Sequence, residues 1–84
     1  MVAGCDAEIL GRSFNEGELD ITASRGFYGG QVVDEDGLIG LMADATSANL
    51  LGDRVVEAAV RRGLVDEGGV LRVCGLKHAQ VYVI

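Results

Sequence analysis

The sequence contains no proline and no tryptophan, and only one histidine, two cysteines and four residues with an aromatic ring (two Phe, two Tyr) among its 84 positions. Without proline no turn is stiffened by a fixed φ, so the turns rest on the 13 glycines and their access to positive φ. A zinc site would need Cys5, Cys74, His78 and a carboxylate to converge, with no CxxC pair to seed it, so no metal site is expected. No basic segment followed by an apolar stretch opens the sequence, and no uninterrupted apolar run exceeds a few residues. A secretory leader, a membrane-spanning helix and a membrane partner are therefore not expected. The expectation is a cytoplasmic protein in which Cys5 and Cys74 are free thiols.

Basic residues are also scarce, seven against 13 acids, for a net charge of −6. That balance argues against wholesale wrapping by nucleic acid. Its distribution is uneven. Residues 1–50 carry nine acids against Arg12 and Arg25, or −7; residues 51–84 carry four acids against five bases, or +1. Arg54, Arg61, Arg62, Arg72 and Lys77 are thus a candidate basic face, with solvated, ion-paired side chains as the plainer reading of the same residues.

Apolar residues make up 49% of the chain, enough for one modest core, and the length allows a single domain over 1–84. Residues 2–5 read as a short strand. Asp6 reads as the cap of one helical turn that Gly11 stops. Alternation of acid and apolar residues over 18–24 predicts a half-buried strand with Leu19 and Ile21 inward, closed by a turn at Arg25-Gly26. Gln31, Val32 and Val33 read as a short strand or an extended approach to a helix.

Asp34, Glu35 and Asp36 then start a helix with Leu38, Ile39, Leu41, Met42 and Ala45 on its apolar stripe. Thr46 or Ser47 caps a further helical stretch, Ala48 to Leu51. A helix over 52–62 buries Val55, Val56, Ala59 and Val60, pairs Glu57 with Arg61, and ends at Gly63. After a turn at 66–69, strands at 70–74 and 79–84 form a hairpin across a four-residue connection, 75–78. The sum is an α+β two-layer sandwich, a small sheet with a C-terminal hairpin packed against two to three central helices.

Three stretches carry a family likeness: Phe27-Tyr28-Gly29-Gly30; Ala45 to Gly52 running into Val55-Val56-Glu57-Ala58-Ala59; and His78-Ala79-Gln80-Val81. With Cys5 to Gly11 ahead of them, the chain resembles a small archaeal family, domain-of-unknown-function family 424. The resemblance implies an archaeal, cytoplasmic α+β protein, a setting linked to translation, and no defined activity, substrate or cofactor. It also implies a fuller strand ahead of Cys5 than Met1 to Gly4 supply. Either that strand is short or the sheet has an exposed edge, and an exposed edge invites pairing with a partner or with a second copy as a homodimer.

The candidate site residues are Tyr28, Gly29, Gly30, Asn49, His78 and Gln80. Tyr28 could stack on a ligand or RNA base that the two glycines let approach, or Phe27 could plug the core while the glycines make a turn. His78, the one side chain with an ordinary pKa near neutrality, could act as a general base beside Tyr28 and Asp20, Asp34 or Asp36, or sit in the hairpin bonded to backbone or Gln80. Asn49 is expected to cap or tie the following helix. No spacing marks a nucleophile, and no P-loop, dinucleotide fingerprint, GxSxG or HExxH occurs, so no cofactor or catalytic set is expected. The reading is a non-enzymatic interaction module for a protein or ribonucleoprotein partner, with RNA itself a weaker candidate. The alternative is a small ligand-binding protein or enzyme built on His78, Tyr28 and a carboxylate.

Overall fold

Burial with a period of two across Ser47–Leu51, and across much of Leu76–Tyr82, makes these two segments the centre of a sheet. The computed structural model describes residues 2–29, 34–43 and 45–82. Its strands are β1 (Val2–Cys5), β2 (Ser13–Glu16), β3 (Leu19–Thr22), β4 (Ser47–Leu51), β5 (Leu71–Val73) and β6 (Leu76–Tyr82), and its helices are α1 (Arg25–Tyr28), α2 (Glu35–Ala43) and α3 (Asp53–Arg61). Four strands form one sheet in the order β1-β4-β6-β5, with β1 parallel to β4 and the other pairs antiparallel. β2 and β3 form a separate hairpin.

The register divides the sheet into two faces. Val2, Ala48, Leu50, Ala79 and Val81 point one way, towards α2 and α3, and form a core with Leu38, Met42, Val56 and Ala59. Cys5, Leu51 and Leu76 point the other way and pack with Ile9, Ala23, Phe14, Ile21 and Tyr28, contributed by the β2–β3 hairpin and its flanks. The helix layer on one face is the expected α+β two-layer arrangement, and the hairpin covers only one end of the second face.

Several local expectations are corrected. Ala48 to Leu51 is strand, not helix, because the segment is needed between β1 and β6 and buries side chains on both faces. Asn49 is therefore a strand residue and caps nothing. Leu19 lies in β3 but is 48% exposed, and β2, which the sequence did not signal, is its partner across a turn where Gly17 has φ 62°. Arg25-Gly26 opens a short helix instead of a turn, with the Ser24 hydroxyl accepting from the Gly26 N–H. On α2, Leu38 and Met42 are buried but Leu41 faces out. The C-terminal hairpin turns on two residues, Cys74 and Gly75, both at positive φ (52° and 78°), so His78 is in a strand. The stretch 31–33 lies outside the described residues.

The α3 N-terminus is capped from a distance. Gly52, at its N-cap, has no side chain to offer, and the Asp6 carboxylate takes that place: Oδ1 accepts from Val55 N–H at 2.8 Å and Oδ2 from Arg54 N–H at 3.0 Å. Asp6 makes no such bond to the 3₁₀ turn Ala7–Ile9 that follows it, where a local cap was expected. Asp53 reaches the other way and accepts from the Lys77 N–H at 2.9 Å. Replacing Asp6 with alanine leaves two α3 amides unmet at the positive end of the helix and is expected to cost about 1–2 kcal/mol. Urea denaturation of Asp6→Ala checks this, with Asp6→Asn, which keeps one acceptor, falling in between.

Candidate functional site

Where the hairpin layer stops, the second sheet face is open. Along β6 it presents His78, Gln80 and Tyr82; the directly opposed residues are Leu51, Asn49 and Ser47 on β4, and Leu71 opposes His78 on β5. Leu71 is 61% exposed and Tyr82 72%. None of these residues is an aspartate, glutamate, lysine or arginine, in a chain of net charge −6. The Tyr82 hydroxyl donates to Gln80 Oε1 at 3.3 Å.

Four of the candidates expected from sequence meet on this face. The Tyr28 hydroxyl donates to Asn49 Oδ1 at 2.6 Å, which ties α1 to the central strand over a sequence separation of 21. Burial raises the Tyr28 pKa, with the Cys5 thiol as a lesser cause, so the phenol keeps the proton that makes this bond. Cys5 is itself raised, by burial first and the Asp6 carboxylate second. Asn49 and Gln80 stand side by side across the β4–β6 pair, and His78 lies two residues along from Gln80.

Gly29 has a structural role: a Cβ there would lie 2.2 Å from the Arg25 carbonyl oxygen that accepts the Gly29 N–H. Gly30 lies outside the described residues.

At the border between the open face and the hairpin layer is a cleft of about 450 Å³, with Ile21, Phe27, Tyr28, Leu51, Val73 and His78 in its walls. Phe27 meets Tyr28 edge to face at 4.8 Å. His78 and Tyr28 thus share a cleft as the ligand-binding alternative requires, but among the described residues no aspartate or glutamate lines it. A groove of about 560 Å³ runs beside β1, the outer strand of the sheet, between α2 and α3.

The candidate basic residues are mostly engaged with carboxylates. Arg54 pairs with Glu8 at 3.4 Å, Arg61 with Glu35, Arg62 with Glu35 at 3.1 Å and Asp36 at 2.6 Å, and Lys77 with Glu57 at 3.0 Å. The hydrogen bonds that Arg62 donates to Asp36 and then to Glu35 raise its pKa further. The expected Glu57–Arg61 pair gives way to partners on β6 and α2, because both side chains lie against neighbouring elements. Arg72 directly opposes Lys77 on the helix side of the sheet. These residues do not lie on the open face.

Among the described residues, no group of three His, Cys, Asp or Glu side chains is placed to hold a metal ion, and no helix is long and apolar enough to cross a membrane. Both cysteines are free thiols.

Fold and site together define a small α+β protein with a mixed four-stranded sheet, helices on one face and an uncharged, half-open surface on the other. The chain belongs to the protein family of unknown function DUF424, whose sequence profile matches residues 1–84. Its fold is similar to that of an uncharacterised conserved protein from the archaeon Methanopyrus kandleri, seen in a crystal structure: TM-score 0.84 at 24% identity, covering 98% of this chain and 79% of that one. No curated protein matches the chain.

Proposed function

We propose that this protein is a non-enzymatic interaction module that binds a protein partner on the open face of its sheet. The observation that carries the reading is the uncharged strip of Leu71, His78, Gln80 and Tyr82, with its two large apolar side chains left largely in solvent. Scattered exposed leucines need no explanation, but apolar groups gathered on one strand pair with amides between them form the kind of patch that partners cover. A protein is favoured over RNA because Arg54, Arg61, Arg62 and Lys77 are already paired with acids and lie off this face. The translation-linked setting implied by the family resemblance belongs to the same proposal.

The cleft supports a second reading, a site for a small uncharged ligand. Its volume falls within the roughly 300–1,000 Å³ common for such sites, and His78 is a polar group in its wall. The catalytic version lacks its carboxylate there, and the Tyr28 hydroxyl is committed to Asn49.

Affinity capture from extract of the source organism separates these readings, comparing tagged wild type with Tyr82→Arg, with and without nuclease. The expected result is a defined protein set that resists nuclease and falls at least about tenfold with Tyr82→Arg. Ribosomal subunits or initiation factors in that set support the translation link. Capture that survives Tyr82→Arg but vanishes with nuclease overturns the protein-partner reading in favour of RNA. No capture, together with a metabolite that raises the melting temperature, favours the cleft.

A further inference from the structure

We infer that the first occupant of the open sheet face is a second copy of this chain, packed about a two-fold axis that passes beside Gln80. The inference rests on the proposed reading of that face as a binding surface and names the partner. Three observations support it, beginning with area. The chain exposes 5370 Å², whereas a monomer of 8.8 kDa is expected to expose about 4,800 Å². The excess is about 600 Å², and a standard interface removes about 800 Å² per copy, which brings each chain to the surface of an ordinary small globule.

Charge is the second. Two chains of −6 repel each other, and the sheet residues of the open face include no aspartate, glutamate, lysine or arginine. Two copies meeting there bring no like charges of the sheet face together.

The third is self-complementarity. Tyr82 lies two residues from Gln80 in one direction along β6; Leu71, beside His78, lies level with the second residue in the other. A two-fold axis at Gln80 exchanges these ends, so Tyr82 of each copy covers Leu71 of the other, the arrangement an isologous interface requires. At the axis the two Gln80 amides meet. An amide carries both donor and acceptor, so it can pair with its own copy where a carboxylate or an ammonium would meet its like. Asn49, alongside Gln80 on β4, is held by Tyr28 and presents a fixed edge to the same contact.

The test is sedimentation equilibrium on the purified chain from about 1 to about 500 µM, with melting temperatures over the same range. A monomer–dimer equilibrium and a melting temperature that rises with concentration are expected. Gln80→Glu and Gln80→Lys are exposed substitutions; each alone should weaken the dimer at least about 30-fold by placing like charges at the axis, while an equimolar mixture restores it as a heterodimer. Circular dichroism shows that each variant is folded. A chain that stays monomeric throughout, a dimer indifferent to both Gln80 charges, or a mixture that fails to recover overturns the inference. A monomeric chain that still captures a Tyr82-dependent partner from extract removes only the second copy; a monomer that captures nothing removes the reading of the face as well.

Discussion

Gly52→Ala is expected to destabilise the protein by about 3 kcal/mol and lower its melting temperature by roughly 12–24 °C. Two causes add. Gly52 has φ 122° and ψ 147°, a region that residues with a side chain enter only under strain of about 1–3 kcal/mol. A Cβ there would also lie 2.6 Å from the Asp6 carboxyl carbon and 2.7 Å from its Oδ2. Asp6 can withdraw, but only by giving up the bonds to Arg54 N–H and Val55 N–H that cap α3. The two causes separate in a double-mutant cycle measured by urea denaturation. In an Asp6→Ala background the steric cost is gone, so Gly52→Ala should cost about 1–2 kcal/mol less than in wild type, leaving the backbone strain. Equal costs in both backgrounds would mean that Asp6 and Gly52 are not coupled.

The same junction shows what the sequence could reveal and what it could not. α3 was legible because Val56 and Ala59 repeat at helical spacing and Gly63, at φ 74°, ends it as expected. Its cap was not, since the acceptor lies 48 residues from the amide it serves and the adjacent Ala7–Ile9 turn offers Asp6 a plausible local role. β4 was misread for a related reason. Ser47-Ala48-Asn49-Leu50-Leu51 has no β-branched or aromatic residue, and Ala and Leu are good helix formers. Its alternation is also masked at one end: Leu50 belongs to the helix-side core while Leu51 is buried by the hairpin layer, so two adjacent leucines are both inside.

The candidate site suffered from that error. With Asn49 placed in a helix, nothing put it beside Gln80; the pairing of β4 with β6 does so at once, and Tyr28 then reaches it. Tyr28, Asn49, His78 and Gln80 were each singled out by residue type and family likeness, and their common face is a property of register alone. Leu71 and Tyr82 were missed because they read as ordinary strand residues; their exposure follows from where the second layer ends. The basic face was overdrawn, because charge counted by sequence segment takes no account of Glu8, Glu35 and Asp36 folding back onto the arginines.

The second large effect lies in that misread strand. Leu50 is fully buried on the central strand, and among the described residues only Leu50 and Val56 are both large and wholly enclosed. Leu50→Ala removes its contacts with the α2–α3 layer and leaves a cavity that a sheet pinned on both sides by β1 and β6 cannot collapse to fill. The expected cost is about 3–4 kcal/mol, a melting temperature lower by roughly 12–30 °C. A chain this short has a total stability of about 4–13 kcal/mol, so the variant sits near the limit of folding. Gly4 supplies a control within the same cavity. A Cβ added there would lie 3.4 Å from Leu50 Cδ2, 3.5 Å from Leu38 Cδ1 and 3.8 Å from Val55 Cγ2, which is ordinary contact. Gly4→Ala alone is therefore expected to be close to neutral, while in the Leu50→Ala background its methyl fills part of the void and returns about 1 kcal/mol. A loss near 1 kcal/mol for Leu50→Ala, or no rescue by Gly4→Ala, would show that β1 and β4 do not pack Gly4 against Leu50 beneath α2 and α3.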